Sequence, residues 1–197
     1  MRKNKSSYLL YGDVYMLKRI QFIDDKIIDW IGRLHTPVLN KIMIIISMLG
    51  TKGTVWFIIC LPFISKASTR VVGVNFLIAL GLTSVCGEGI IKHLVCRMRP
   101  CHKLEDEDLI VKRPSFYSFP SGHTASSFSV FAVALLRCPA TVWSGILILS
   151  VLISFSRVYL RVHYLTDVLC GVVLGLVCGS VSVTIMDQLI ASLLFGA

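Results

Sequence analysis

Long runs of apolar residues, more than any single motif, limit what this chain can fold into. Blocks at 38–49, 53–64, 71–96, 120–136, 141–155 and 167–186 are separated by short polar connections. Helices are the structures that cross a bilayer from such stretches, because each helix satisfies its own backbone polar groups. Apolar residues make up 55% of the chain and charged residues only 16%, an unusual balance for a soluble domain. The expected fold is all-α: a polytopic transmembrane helical bundle of five or six spans, with an N-terminal amphipathic helix.

The first third of the chain leaves alternatives open. Residues 1–13 are basic and polar, with Arg2, Lys3 and Lys5, and read as a disordered tail. Over 14–37, Ile20, Ile23, Ile27, Ile28 and Ile31 recur at a helical period against Lys18, Arg19, Asp24, Asp25 and Asp29. A helix of that kind lies on a membrane surface or docks on the protein itself, and the pattern supports both equally. The blocks at 38–49 and 53–64 are each short for a span and together exceed one, with Gly50-Thr51-Lys52-Gly53 between them. A re-entrant or interfacial first half leading into one crossing is favoured over two short helices. Residues 38–197 then make up the membrane domain.

Charge and cysteine usage narrow the partners. The net charge of +9 comes without a long Lys/Arg run, which disfavours nucleic acid and fits membrane lipids or an anionic substrate. Seven cysteines are scattered with no metal-ligand spacing and read mostly as small buried hydrophobes. Cys96 and Cys101 flank a charged loop and are candidates to pair. The acidic run Glu105, Asp106, Glu107 and Asp108 reads as a solvated loop, with a metal site the lesser alternative. The first apolar block starts too late for a cleavable signal peptide.

Parity gathers the chemistry at one surface. The loop at 97–119 joins two spans at one membrane face, and two spans later the chain returns there at 157–167. Lys92 and Arg99, seven residues and two helical turns apart, share a face, and Pro100 ends their helix. Membrane-edge charges usually signal function, although Lys92 alone reads equally well as a snorkelling side chain. In Tyr-Ser-Phe-Pro-Ser-Gly-His-Thr (117–124), Ser121 suits a helix N-cap, Gly122 admits a ligand to the backbone, and His123 stands beside them. His163 and Asp167 are four apart, so the carboxylate can orient the imidazole and raise its basicity. Lacking a serine or cysteine partner, that imidazole is itself a candidate nucleophile. The cations Lys92, Arg99 and Arg157 with a helix N-terminus fit a phosphoryl group, and His123 is a candidate general acid.

Taken together, Lys92-x6-Arg99-Pro100, Pro120-Ser121-Gly122-His123 and Ser156-Arg157-x5-His163-x3-Asp167 resemble the three-part signature of the type-2 phosphatidic acid phosphatase superfamily. The resemblance covers about residues 85–180. It implies metal-independent hydrolysis of a lipid phosphomonoester or diphosphate through a phosphohistidine, with undecaprenyl diphosphate the first substrate and phosphatidylglycerol phosphate or phosphatidic acid next. On that pattern His163 is the nucleophile, Asp167 its partner and His123 the general acid. Lys92, Arg99, Ser121, Gly122 and Arg157 would bind phosphate. The family's usual arrangement implies a cell-membrane protein with its site on the extracytoplasmic face. Many relatives have a small residue where this chain has Arg161 and a proline where it has Leu165; Arg161 would add a cation near the headgroup. A lipid-binding or transport protein of the same fold is the alternative of another class. His35, His93 and His102 match no part of the signature, and the Gly171, Gly175, Gly179 stripe reads as close helix packing.

Overall fold

A computed structural model describes residues 5–115 and 117–196, with side chains from residue 18 onward. Among the described residues every regular element is helical. In chain order the α-helices are α1 (Lys5–Gly32), α2 (Pro37–Leu49), α3 (Thr54–Ser65), α4 (Arg70–Thr83), α5 (Lys92–Val95), α6 (Gly122–Arg137), α7 (Ala140–Tyr159) and α8 (Leu165–Phe195), with short 3-10 turns in the connections. A π-helical stretch, Ser84–Ile91, joins α4 to α5. The tail expected over 1–13 starts in residues 1–4, which lie outside the described residues; from Lys5 the backbone is helical.

Helix α6 is the axis of the bundle. It packs most extensively on α8 and also on α4 and α7. Among the described residues, three segments are long and apolar enough to cross a membrane: Ala67–Lys103, Ala140–Tyr159 and Leu165–Phe195. The α2–α3 pair, bent by 46°, makes a fourth if counted as one span. At 16 residues α6 is shorter than such a span, although a crossing was expected at 120–136. Its surroundings explain this. Ser127 and Ser129 are fully buried, so α6 faces protein on most sides and needs less apolar surface than a lipid-facing helix.

The bend between α2 and α3 is written locally. Thr36 caps α2 by accepting the Leu39 N–H at 3.2 Å, with Pro37 in the first turn. The helix then stops at Gly50, and Lys52 (φ 51°) and Gly53 (φ 71°) take left-handed backbone before α3 begins. Both ends of α2 touch the same end of the bundle: His35 Nε2 lies 3.0 Å from the Tyr159 carbonyl, and Gly50 packs against His123.

Two apolar clusters hold the molecule. One, in mid-bundle, joins Trp56, Phe76, Val130, Val133 and Ile153. The other sits under the α7–α8 turn and joins Val158, Tyr159, Val162 and Tyr164 to Met43 and to Ile28 and Ile31 of α1. Through Ile28 and Ile31, α1 packs on this end of the protein. Its expected charged face is divided, however: Asp24 is 1% exposed while Phe22 and Trp30 point outward.

Candidate functional site

The glycine stripe is what assembles the site. A Cβ added at Gly171, Gly175 or Gly179 would stand 2.8, 2.5 or 2.4 Å from the carbonyls of Ser121, Ala125 and Ser129. Three successive turns of α6 thus lie directly on α8, closer than any side chain allows. The Ser121 N–H donates to the Asp167 carbonyl at 3.0 Å, tying the start of α6 to the start of α8. Two motifs separated by about forty residues of sequence thereby meet.

A cavity of about 720 Å³ opens where they meet, and Lys92, Arg99, Gly122, His123, Arg157 and His163 all line it. Six of the eight expected site residues therefore share one chamber. Asp167 and Ser121, both fully buried, stand behind its wall. Ser121 occupies the N-cap position of α6, yet its hydroxyl makes no cap bond and instead accepts from Thr124 Oγ1 at 3.0 Å. The other side of the chamber is apolar, with Phe57, Leu77 and Leu80.

The cations are held individually. Lys92 donates to both oxygens of Glu88 at 2.6 Å, and Glu88 itself lines the chamber and packs on Gly122. Arg157 donates to the Ser47 hydroxyl at the end of α2. Arg99 donates to the Val162 carbonyl and to His163 Nε2, both at 2.9 Å. An arginine only donates, so Nε2 is the accepting nitrogen and Nδ1 carries the ring proton. His163 is 2% exposed, and burial pushes its pKa down to about 3; Arg99 and Arg157 push the same way, against Asp167. The imidazole is therefore neutral, with its lone pair on the chamber side.

Behind His163 the geometry differs from expectation. His163 Nδ1 lies 3.6 Å from Asp167 Oδ2, too long for the hydrogen bond that the four-residue spacing suggests. The carboxylate is already engaged: Oδ2 accepts the Tyr164 N–H at 2.9 Å and Oδ1 accepts from Arg97 at 2.6 Å. Arg97 also reaches Asp24 at 2.7 Å and Gln21 at 2.8 Å on α1, and lies 4.0 Å over the Tyr164 ring. Sequence reasoning missed Arg97, Asp24, Ser47, Gly50 and Glu88. A Cβ at Gly50 would be 2.9 Å from the His123 ring, so glycine there lets α2 seat that imidazole. His123 Nε2 is buried and has no hydrogen-bond partner among the described residues.

Other expectations resolve away from the chamber. All seven cysteines are free, including Cys96, which is exposed, and Cys101, which is buried. Arg161 takes left-handed backbone (φ 54°) and its guanidinium packs on Gly32, so it adds no cation to the chamber; a small residue suits that backbone better. The acidic run is exposed, with Asp106 paired to Arg113. No cluster of three or more His, Cys, Asp or Glu that could hold a metal occurs among the described residues. His35, His93 and His102 do not line the chamber.

Comparison with known proteins matches this arrangement to a family. The model of the PAP2 superfamily fits residues 70–191. An undecaprenyl-diphosphatase of Sulfolobus acidocaldarius is 32% identical over 137 residues, which is 70% of this chain and 66% of that protein. A lipid A 4'-phosphatase of Porphyromonas gingivalis is 28% identical over 160 residues, 73% of this chain and 64% of that protein. The chain thus spans just under two thirds of the length of these two curated relatives. The crystal structure of a transmembrane PAP2-type phosphatidylglycerolphosphate phosphatase from Bacillus subtilis superposes with a TM-score of 0.73 at 26% identity. That match covers 95% of this chain and 98% of the other.

Proposed function

The chain belongs to the PAP2 superfamily, and from that premise we propose that it hydrolyses a lipid phosphomonoester or diphosphate through a phosphohistidine. One observation carries the reading: a neutral imidazole, its Nε2 turned to a chamber that also holds Lys92, Arg99 and Arg157, faces a second imidazole. Lys92, Arg99 and Arg157 grip the phosphoryl oxygens, with the first turn of α6 at Ser121 and Gly122 as a further anion site. As the phosphoryl group enters, the N–H that Arg99 gives to Nε2 passes to a phosphoryl oxygen, and the lone pair is released. Nε2 attacks phosphorus, the N–P bond forms, and the bond to the leaving oxygen breaks. His123 takes up a proton as the anionic phosphoryl group binds and offsets the three cations; its Nε2 gives that proton to the leaving oxygen, and afterwards takes one from the water that cleaves the N–P bond. Asp167 faces the cationic ring of the intermediate. The apolar wall at Phe57, Leu77 and Leu80 suits the first carbons of a lipid tail.

The wider reading is a cell-membrane protein with five crossings, α2 and α3 counting together as one. Its support is that both ends of α2 touch the site end of the bundle, so the N-terminus starts on the site's side. We assign that side to the extracytoplasmic face; a cysteine scan finding the 101–118 loop shielded from outside reverses the assignment. Phosphate release from a detergent-solubilised lipid panel with a chelator present tests the activity, undecaprenyl diphosphate first and phosphatidylglycerol phosphate second. Release from none of them, with lipid still bound, would favour a binding or transport protein instead.

A further inference from the structure

We propose that Asp24, which lies on α1 and outside the residues 70–191 that the family model matches, is a positioning residue for the reaction, acting on His163 through Arg97 and Asp167. The inference rests on the phosphatase reading above. Asp24 is 1% exposed, and a buried carboxylate at that position is costly unless it is paired. It is paired on two sides. Arg97 donates one nitrogen to Asp24 Oδ2 at 2.7 Å and the other to Asp167 Oδ1 at 2.6 Å. The Thr166 N–H, next to Asp167 in the first turn of α8, donates to Asp24 Oδ1 at 3.2 Å.

The electrostatic consequence concerns the intermediate. Attack by Nε2 turns a neutral ring into a cationic phosphoimidazole, so a negative charge at Asp167, 3.6 Å away, is worth most after attack begins. Were Arg97 paired with Asp167 alone, the two charges would cancel. With Asp24 the trio sums to −1 (−1 for Asp24, +1 for Arg97, −1 for Asp167), and the ring still sees an anion. The same bonds fix the carboxylate: Arg97 holds Oδ1 and the Tyr164 N–H holds Oδ2. A residue acting this way governs phosphoryl transfer more than substrate binding.

The test uses the full chain in detergent and follows single-turnover phosphorylation of His163 alongside KM. Asp24→Asn should slow phosphorylation about 10- to 100-fold, the usual scale for an outer partner of a catalytic group, with KM within about threefold of the parent. Asp24→Glu should recover most of the rate, and Asp24→Asn should cost little more in an Arg97→Gln background. Ile28→Ala loosens the α1 contact without touching charge, so it should lower the thermal midpoint while phosphorylation stays near the parent's rate. If Asp24→Asn does not purify, Asp24→Ser repeats the measurement. Parent-like phosphorylation in the Asn variant, an equal slowing in Ile28→Ala, or losses at 24 and 97 that simply multiply would each overturn the inference alone. A parent chain that never becomes phosphorylated overturns the phosphatase reading and this inference with it.

Discussion

Arg97 and Arg99 stand two residues apart in sequence and on opposite sides of His163. Arg99 faces the chamber and touches the imidazole nitrogen that we assign to attack. Arg97 lies behind the ring, locked between the carboxylates of Asp24 and Asp167 and laid over Tyr164. The same side chain thus does two jobs. In front, a guanidinium must be able to exchange its partners for an anion that comes and goes. Behind, it is stapled, and its value lies in not moving. Both follow the αL turn at Cys96 (φ 50°), and Arg99 is extended where it enters the short 3-10 turn Pro100–Lys103.

The severest way to break the comparison is to remove what it is drawn around. His163→Asn should cut turnover by on the order of 10⁴-fold or more, because an amide nitrogen's lone pair is delocalised and does not replace the imidazole's in attack on phosphorus. Acid-labile, alkali-stable phosphate trapped on the parent should be missing from the variant. Ordinary activity in the variant would dissolve both sides of the argument at once. Next in size is Arg99→Lys, expected to lose between about 100- and 1000-fold, since a point charge cannot grip two phosphoryl oxygens as a planar fork does. KM should rise along with the fall in kcat. An Arg99→Lys enzyme that works as well as the parent would reduce the front cation to distant steering.

His123 refines the front side further. If it protonates the leaving oxygen, His123→Ala should lose about 100-fold on a lipid phosphomonoester and much less on an activated aryl phosphate, whose leaving group needs no proton. His163→Asn should show no such relief. Single-turnover phosphorylation is the measurement, because slow dephosphorylation can hide the contrast. Equal deficits on the two substrates would move His123 from proton transfer to phosphate binding.

How much of this was legible in the sequence depends on distance along the chain. Lys92, Arg99 and the Pro-Ser-Gly-His turn are readable because each motif is local and parity sets them at one membrane face, although Lys92 and Arg99 do not share a helix: α5 stops at Val95 before the αL residue Cys96, and Arg99 is extended. The glycine stripe is readable too, being a period within one helix, and it proves to be the contact that brings Ser121 to Asp167. Arg97 is not, because its partners Asp24 and Asp167 lie 73 and 70 residues away. In sequence Asp24 is one of several charges on a polar face; periodicity assigns a residue to a face but not that face to a partner. The four-residue spacing of His163 and Asp167 is right about proximity and wrong about the bond, since spacing cannot show that Arg97 already holds the carboxylate. Ser47 and Gly50 escape notice because the α2–α3 bend that turns them toward the chamber reads in sequence only as a break.

The smallest expected effect concerns stability and tests how completely the back of His163 is sealed. Burial lowers its folded pKa to about 3, whereas an exposed histidine titrates near 6.5. Below about pH 6.5 the unfolded chain takes up a proton that the folded site refuses, so the site's contribution falls as the solution is acidified and levels off near the folded pKa. From these two values the loss between pH 7 and pH 5 is about 2 kcal/mol at most. Other groups titrate in the same range, so the informative quantity is the difference between the parent and His163→Asn in detergent. The Asn variant lacks the titrating ring and should lose less thermal midpoint than the parent over that interval. Parallel curves would mean that the folded imidazole gains its proton as readily as the unfolded one. The ring would then be open to water or neutralised by Asp167 from behind, and the contrast between a dry, stapled back and an exchanging front would fail at its midpoint.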